Sequence, residues 1–367
     1  MNEGDNPVWE DLLTLDDFED AAKKVLPKMA YDYFRSGADE ERTLRANRKA
    51  FRKYEIWHRV LVDVSAVDLR TRVLGTEVSM PVLVSPTAYQ KMAHAEGEAA
   101  ASRGAAEAGT IFTLSTLATS SIEEVAAASS GPKWFQLYVH KDRGITKSLL
   151  DRAESAGYNA VAVTVDAPIL GRRLADERNR FVLPEGLSMV NIAEFAEDLT
   201  TSAGGSALTA YAASRHDASF SWNDVEWLRS LTNLPVLIKG LVRGDDAARA
   251  AEIGVAGVVV SNHGGRQLDG APAAIDAVSE VADAAGDRCE VLMDGGIRRG
   301  TDVLKALALG ARAVMVGRPV VWGLALGGAE GVRRVLEVLR EELARAMALA
   351  GCPSAEAVDR DLLRRRT

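Results

Sequence analysis

The chain has 367 residues, of which 47% are hydrophobic, and its formal net charge of −8 gives an isoelectric point near 5.4. This size and composition predict a globular protein, and the negative charge provides no general attraction for nucleic acid. No apolar run reaches the roughly 18 residues of a membrane span, and the acidic N-terminus does not resemble a signal peptide.

The two cysteines, Cys289 and Cys352, lie far apart in the sequence. Two isolated thiols form neither a disulfide framework nor a metal-binding motif. We therefore expect a cytoplasmic protein with both thiols reduced and buried, without a metal site and without a nucleic-acid or membrane partner.

The predicted elements begin with a helical region that includes TLDDFEDAAKKVLPKMAYDYFRSG, residues 14–37. From about residue 80 the pattern changes to short apolar, β-branched segments, each followed by an alanine-rich amphipathic stretch. We therefore predict one domain over residues 1–367, with an N-terminal helical region at 1–79 and an alternating α/β region at 80–367.

The second region contains eight predicted strands, at 81–88, 110–116, 133–139, 160–166, 235–240, 256–262, 290–296 and 313–319. Helices are predicted at 97–109, 121–129, 145–157, 222–233, 243–254, 271–286, 299–310 and 328–351. Apolar strands that alternate with helices predict a parallel sheet, and eight such units fit a (β/α)8 TIM barrel better than an open sheet. One long loop, 167–221, follows the fourth strand, and loops of this length are usually functional or mobile.

The C-terminal ends of the predicted strands carry polar residues and glycines, whereas their N-terminal ends do not. In a TIM barrel the eight C-terminal ends surround one cavity, where enzymes of this fold build their active sites. We therefore predict one site formed by Ser85, Pro86, Thr87, Ser115, Gln136, Tyr138, Thr164, Asp166, Lys239, Ser261, His263, Asp294, Gly295, Gly296, Arg298, Gly317 and Arg318.

The stretch SNHGGRQLDG, residues 261–270, ends the sixth strand and brings His263 and Arg266 to this cavity. Histidine titrates near neutral pH, so it can take a proton from a substrate, and a nearby carboxylate such as Asp166 stabilises the resulting imidazolium. The stretches DGGIRRG and VGRP combine glycines, which expose backbone N–H groups, with Arg298 and Arg318. This combination predicts a bound phosphate after the last two strands.

These motifs, with PTAYQKMAHAEGE, FQLYVHKDR and TVDAPILGRRLADERNRF, resemble those of the FMN-dependent (S)-2-hydroxy-acid oxidases and dehydrogenases over nearly the whole chain. The resemblance implies that Tyr33, Arg173 and Arg266 bind the substrate carboxylate. It implies that Tyr138 binds the substrate hydroxyl and that His263, oriented by Asp166, is the catalytic base. It also implies an FMN site formed by Thr87, Ala88, Ser115, Gln136, Thr164, Lys239, Ser261, Asp294, Gly296, Arg298, Gly317 and Arg318.

Several of these residues have simpler interpretations. Asp166 also suits the cap of a following helix, and DGGIRRG alone is consistent with a tight turn whose arginines face solvent. Tyr33 lies in the aromatic segment YDYF, where core packing is the usual role, and only the resemblance selects it over Tyr31. The remaining histidines have no partner pattern, so we treat them as structural or exposed: His58, His94, His140 and His216.

Leu117 stands where glycolate oxidase has a tryptophan, so the resemblance predicts a roomier pocket that favours lactate or a somewhat longer 2-hydroxy acid over glycolate. Tyr89, at a position where glycolate oxidase has methionine, is a second candidate for the pocket wall. We recognise no haem domain, so oxygen is the expected electron acceptor and hydrogen peroxide the expected product. A dehydrogenase that uses a quinone or another carrier, and an enzyme for mandelate-type acids, stay open as alternatives.

The family tends to form tetramers, so we expect a homo-oligomer. Two rival functions fit these residues less well than oxidation of a 2-hydroxy acid does. An FMN-dependent isomerase would not need two arginines and a tyrosine around a histidine base. A flavin-binding sensor without turnover would not need His263 together with Asp166.

Overall fold

A closed barrel of parallel strands forms the centre of the protein, which we describe from a computed structural model. The structure describes residues 9–193 and 215–366. Within them β4 to β11 pair in parallel, and β11 pairs with β4 to close the ring, so the predicted TIM barrel is confirmed. The strands are β1 Tyr54–Ile56, β2 Thr71–Val73, β3 Thr76–Val78, β4 Val82–Val84, β5 Phe112–Ser115, β6 Lys133–Leu137, β7 Ala160–Thr164, β8 Val236–Leu241, β9 Gly257–Val260, β10 Glu290–Asp294, β11 Ala313–Val316 and β12 Leu363–Arg365.

Helices cover the outer face of the barrel, and some of them begin with a capping box. Ser121 and Glu124, for example, form a capping box at the start of α5, in which each side chain accepts a hydrogen bond from the other residue's backbone. The helices are α1 Leu15–Val25, α2 Lys28–Arg35, α3 Arg42–Lys49, α4 Gly97–Glu107, α5 Ile122–Ala128, α6 Arg143–Ser155, α7 Leu174–Arg178, α8 Trp222–Ser230, α9 Gly244–Ile253, α10 Ala274–Ala285, α11 Gly300–Ala308 and α12 Arg318–Ala350.

The lower half of the barrel interior is filled with apolar side chains. A buried cluster there includes Leu83, Ile111, Trp134, Leu237, Val259 and Leu292. The β2–β3 hairpin adds Val73 and Val78 to this cluster, and the backbone N–H of Leu74 donates to the Glu290 carboxylate at the start of β10, at 3.0 Å. The hairpin therefore closes the N-terminal end of the barrel, and only the C-terminal end is left for a cavity.

The N-terminal region differs in part from its prediction. Residues 1–79 were expected to be helical, and α1 to α3 agree, but the region also contains β1 and the β2–β3 hairpin. Strand β1 pairs with β12 near the other end of the chain, with Glu55 opposite Arg364. These strands are only three residues long, too short to show the alternation that marks a strand in the sequence.

The last helix is longer than predicted. We expected a helix at 328–351, but α12 already begins at Arg318, directly after β11. Pro319 suits the first turn of a helix, because its missing N–H needs no partner there. Gly327 and Gly328 leave helical geometry and kink the element, which explains why the sequence suggested a start at that point.

The described part of the long loop after the fourth barrel strand contains one short helix, α7. Its small, polar part LTTSAGGSALTAYAAS, residues 199–214, lies outside the described residues. All barrel strands except β8 end earlier than predicted, so Tyr138 and Asp166 follow β6 and β7 instead of belonging to them, and His263 follows β9 as predicted. Among the described helices, none is long and apolar enough to cross a membrane.

Candidate active site

Alternation along the strands places a polar layer above the apolar one. Side chains two residues apart point to the same side of a strand, so Lys239 follows Leu237 on the inner face of β8. In the same way, Ser261 follows Val259 on the inner face of the barrel. Gln136 of β6 and Asp294 of β10 also come two residues after an inward-facing apolar residue. The C-terminal end of the barrel therefore has a floor of polar side chains over a closed hydrophobic base.

One side of this floor is fixed by the amide of Gln136. Its Nε2 donates to Thr164 Oγ1 at 3.0 Å, and Ser115 Oγ donates to its Oε1 at 3.2 Å. The three side chains come from neighbouring strands and are all buried. They present a row of hydrogen-bonding groups in fixed orientation, as expected for the walls of a polar-ligand site.

The other side holds a buried cation. Lys239 Nζ lies 2.9 Å from Asp294 Oδ2 and donates to Ser261 Oγ at 3.1 Å, while Ser261 Oγ donates to Asp294 Oδ1 at 2.6 Å. Burial opposes the charge of Lys239, but Asp294 and Asp166 outweigh it and raise the pKa of the lysine above its usual value. Lys239 is therefore charged, and its position is held by two neighbours.

His263 is oriented by its own backbone and by a carboxylate. Its φ of 58° lies in the left-handed region, and its N–H donates to Ser261 Oγ at 3.0 Å. Nδ1 lies 2.8 Å from Asp166 Oδ1, and the other ring nitrogen, Nε2, takes no part in this contact. Burial would raise the pKa of Asp166, but His263 and Lys239 lower it below its ordinary value. Asp166 thus stays ionised beside the imidazole.

The pKa of His263 itself is lowered, because burial outweighs the opposing effect of Asp166, and Lys239 and Arg173 act in the same direction as burial. The imidazole is therefore neutral at pH 7 and able to accept a proton. Asp166 does not cap the following helix, since the cap position of α7 is Arg173. The helix-cap interpretation of Asp166 is therefore wrong for this structure.

Two guanidinium groups meet over one aromatic ring. The Cζ atoms of Arg173 and Arg266 lie 5.9 and 5.0 Å from the ring centre of Tyr33. Arg266 Nη1 donates to the carbonyls of Tyr33 and Ser36 at the end of α2, at 2.6 and 2.9 Å. Burial, and then the neighbouring Arg173, lowers the pKa of Arg266 to about 10, so the Arg266 guanidinium is charged at pH 7.

Arg173 is 6% exposed, and its Nε and Nη1 have no hydrogen-bond partner in the described part of the chain. Its nearest acid, Asp176, lies 3.8 Å from Nη1. Two adjacent guanidiniums with free N–H groups form a natural site for a carboxylate.

Aromatic residues and Leu117 form the rest of this part of the cavity wall. Tyr33 lines the cavity and stacks on Phe181 with ring centres 4.6 Å apart, whereas Tyr31 packs on Trp322. Burial, followed by the charge of Asp166, raises the pKa of Tyr138, so its hydroxyl keeps its proton. Tyr89, our second candidate for the pocket wall, is fully buried behind Tyr33 and is not among the described residues that line the cavity.

The opposite part of the cavity fits a phosphate. Gly295 and Gly296 have φ values of 98° and 88°, which an L-residue rarely adopts. The Arg298 side chain is 11% exposed, and its Nε has no partner among the described residues. Burial lowers the pKa of Arg298, and its nearest acid, Glu19, lies 3.9 Å away. In contrast, the Arg299 side chain is 49% exposed, so only one arginine of DGGIRRG faces solvent, as the turn interpretation expected.

Arg318 supports the same region from behind. Its Nε, Nη1 and Nη2 donate to the carbonyls of Phe34, Gly264 and Ser36 at 2.9, 3.0 and 2.9 Å. This links α2 and the turn at His263 to the start of α12. Thr87, Ala88 and Gly317 line the cavity between this cluster and the floor.

The predicted residues therefore come together around one cavity. All of the predicted catalytic, substrate-binding and FMN-binding residues line it except Asp166 and Ser261, which lie behind His263 and Lys239. The sequence patterns did not select every lining residue: His216, which we expected to be structural or exposed, lines the cavity, is 6% exposed and stacks on Tyr138 with ring centres 4.6 Å apart. It follows no strand, so the strand-end pattern gave no signal for it.

Comparison with known proteins agrees with this arrangement. The model of the FMN-dependent dehydrogenase family matches residues 22–365. The chain is similar to an L-lactate oxidase of Nostoc sp., with 51% identity over 356 residues that cover 96% of this chain and 98% of the relative. It is 52% identical over 360 residues to 2-hydroxyacid oxidase 1 of Homo sapiens, which covers 96% and 97% of the two chains. The solved structure of mandelate oxidase with (S)-4-hydroxymandelic acid aligns with a TM-score of 0.91 at 45% identity, covering 96% of this chain and 98% of that one.

Proposed function

The chain belongs to the FMN-dependent dehydrogenase family, and from this premise we propose that it oxidises lactate-sized (S)-2-hydroxy acids to 2-oxo acids with oxygen as electron acceptor. FMN is its cofactor, and oxidation of a 2-hydroxy acid is its reaction class. In the overall reaction the substrate loses two electrons and two protons, and oxygen takes both to become hydrogen peroxide. The observation that carries the proposal is the Asp166–His263 pair beside the adjacent guanidiniums of Arg173 and Arg266, of which Arg173 has no hydrogen-bond partner at Nε or Nη1 among the described residues.

The chain's residues fit FMN. Arg298, whose buried Nε has no partner among the described residues, and Arg318 would hold the phosphate beside Gly296 after β10 and Gly317 after β11. The following residues would surround the rest of the cofactor: Thr87, Ala88, Ser115, Gln136, Thr164, Lys239, Ser261 and Asp294. When bound, FMN supplies the acceptor for the electron pair of the substrate. Lys239 holds a fixed positive charge there.

The substrate carboxylate binds to Arg173 and Arg266, beside Tyr33. Two guanidiniums can hold a carboxylate through paired hydrogen bonds, which fixes the orientation of the substrate α-carbon. Tyr138, protonated because it is buried, donates a hydrogen bond to the substrate oxygen at the hydroxyl carbon. These contacts select a 2-hydroxy acid, because both a carboxylate and an adjacent hydroxyl are needed to use them all.

His263 accepts a proton from the substrate at Nε2. Its neutral state at pH 7 follows from the lowered pKa, and its orientation follows from the 2.8 Å contact of Nδ1 with Asp166. As the imidazole gains the proton it becomes positively charged, and the ionised carboxylate of Asp166 then stabilises it. The histidine is therefore a positioned general base.

The size of the substrate is set in part by Leu117, which is 5% exposed and lines the cavity. A leucine leaves more room beside the substrate α-carbon than an indole would, which supports a preference for lactate over glycolate. The similarity to mandelate oxidase favours a second candidate, a mandelate-type acid with an aromatic side chain. A dehydrogenase that passes the electrons to a quinone shares the same half-reaction.

The test is a substrate screen with the FMN-loaded enzyme. Glycolate, (S)-lactate, (S)-mandelate and longer acids are compared by bleaching of the flavin absorbance without oxygen and by peroxide formation with oxygen. We expect fast bleaching and steady peroxide release with (S)-lactate. Absence of bleaching with every 2-hydroxy acid would contradict the proposal, and bleaching without peroxide would assign the enzyme to the dehydrogenases.

We further propose that the protein is a cytoplasmic homotetramer and that residues 1–367 form one domain. The pairing of β1 with β12 supports the single domain, because it joins the N-terminal region to the end of the chain. Light scattering on the purified FMN-loaded protein measures its mass, which we expect to be four times that of the 39.3 kDa chain.

A further inference from the structure

His216 is held in place by a short antiparallel bridge. The Lys141 N–H donates to the carbonyl of Arg215 at 2.9 Å, and the Asp217 N–H donates to that of Val139 at 3.0 Å. An ion pair of 2.9 Å between Arg143 and Asp217 fastens the same segment to the start of α6. The chain around His216 therefore follows the end of β6, and the imidazole is brought to the Tyr138 ring.

The two rings form a stack at the edge of the active cavity. Their planes are inclined by 21°, and the ring of His140 meets that of His216 edge-on, with centres 6.1 Å apart. Burial lowers the pKa of His216 to about 4, so its ring is neutral at pH 7. A neutral ring clamped between two others occupies a fixed position.

A second cavity of about 300 Å³ lies on the other side of this stack, between the ends of β6 to β8 and helix α8. Tyr138, Thr164, Ala167 and His216 border both cavities. Most of the other described residues around the second cavity are apolar: Val139, Val165, Pro168, Phe220, Trp222, Val225, Ile238 and Leu241. The polar groups around the second cavity are the backbone of Gly240 and the side chains of Asp217, Ser221 and Asp246. Asp217 forms an ion pair with Arg143, and the Ser221 hydroxyl donates to Asp224.

We infer that His216 is a specificity-determining residue, whose ring closes the active cavity toward this second cavity and so restricts the enzyme to 2-hydroxy acids with short side chains. The inference rests on the proposed function. The substrate side chain and the hydroxyl are attached to the same carbon. When the hydroxyl binds to Tyr138, the side chain therefore starts next to the His216 ring, which we call the partition between the two cavities. The second cavity is about twice the roughly 150 Å³ that holds benzene in an engineered apolar cavity, which is room for a chain of several carbons.

The inference is tested by opening the partition. In His216→Ala, and in His216→Val, which suits the extended bridge, the ring is lost and the two cavities join. We compare kcat/KM for (S)-2-hydroxyoctanoate and (S)-lactate, and expect the ratio of the first to the second to rise by at least about tenfold in both variants. The gain is expected in KM for the long acid and not in kcat, because the new contacts bind the substrate tail far from the reacting atoms.

Two further variants separate this role from a general structural one. His216→Phe keeps a ring against Tyr138 and is expected to keep the wild-type ratio. Val225→Phe, added to His216→Ala, fills the second cavity from α8 and is expected to cancel the gain for the long acid while leaving the lactate values of His216→Ala in place. Flavin content is measured for every variant, and variants that bind FMN as the wild type does are compared.

The results distinguish the inference from the function on which it depends. If (S)-lactate fails to bleach the wild-type flavin, the proposed function is wrong. If lactate bleaches it but the ratio stays within about twofold of wild type in both His216→Ala and His216→Val, only the inference is overturned. The same holds if Val225→Phe leaves the gain unchanged, because the long side chain then lies elsewhere.

Discussion

Asp166→Asn probes the pair on which the proposed chemistry depends. The carboxylate lies 2.8 Å from His263 Nδ1, and both side chains are largely buried, at 11% and 19% exposure. Asparagine has nearly the same shape and can still accept a hydrogen bond from Nδ1–H, but it cannot stabilise the imidazolium by charge. The substitution therefore removes the charge and preserves most of the packing.

The size of the effect follows from this geometry. A buried hydrogen bond to a charged group contributes about 1.5–3 kcal/mol, and about 1.4 kcal/mol corresponds to a factor of ten in rate. We therefore expect the rate of flavin reduction by (S)-lactate to fall by about ten- to about 150-fold. FMN content is expected to stay at the wild-type level, because Asp166 lies behind His263 and does not line the cavity.

The pH profile gives a second readout with a defined sign. A histidine base works only when it is neutral, so kcat/KM is lost as the pH falls through its pKa. Burial holds the pKa of His263 below the ordinary 6.5, whereas Asp166 raises it. The wild-type acid limb is therefore expected below pH 6.5, and in Asp166→Asn it moves to still lower pH while the plateau falls.

The assay is stopped-flow bleaching of the flavin without oxygen, with (S)-lactate, from about pH 5 to pH 9. Asp176→Asn is the matched control, since Asp176 is also a buried acid but lies beside Arg173 and not beside His263. It is expected to change KM and to leave the acid limb in place. A reduction rate in Asp166→Asn within a factor of two of wild type, or an acid limb at higher pH, would refute the assigned role.

Three further substitutions test other parts of the protein. Leu117→Trp fills the space beside the substrate α-carbon, and we expect the kcat/KM ratio of glycolate to (S)-lactate to rise about tenfold. Arg298→Gln removes the buried guanidinium from the proposed phosphate site, and the dissociation constant of FMN, measured by flavin fluorescence, is expected to rise about ten- to hundredfold. The control Arg299→Gln changes a half-exposed side chain and is expected to leave the dissociation constant unchanged. Gly331→Ala places a Cβ 1.9 Å from the carbonyl oxygen of Gly323 across the kink of α12, so thermal unfolding is expected to show a loss of about 1–3 kcal/mol without a change in lactate KM.

The barrel and its polar floor could be predicted because both depend on local patterns. Pairs such as Leu237 and Lys239 show the change from apolar to polar along one face of a strand, and the strand order then brings these ends together. The short strands β1 and β12 could not be predicted. Three residues are too few to show an alternation of apolar and polar side chains, and the pairing of these strands joins distant parts of the chain.

His216 shows the same limit within the site. No neighbouring residue marks it, and it reaches Tyr138 through a bridge between the segment after β6 and the long loop in which His216 itself lies. A tertiary contact of this kind produces no repeating pattern in a single sequence. The interpretation of DGGIRRG was open for a similar reason, since only the path of the turn decides that Arg298 faces inward and Arg299 outward.

The buried charges of the cavity divide into two groups, and the division explains which groups serve the ligands. Lys239 has an acid of the chain, Asp294, within 2.9 Å, so its charge is balanced before any ligand binds, whereas His263 is neutral beside Asp166. The nearest acids to Arg173 and Arg298 are 3.8 and 3.9 Å away, and Arg266 forms no ion pair within the described residues. A buried charge without a close counterion is costly, which supports our proposal that a substrate carboxylate and a cofactor phosphate form ion pairs with these three arginines. Because the whole chain carries a net charge of −8, its overall field does not draw anions in, and this local set of cations must do so.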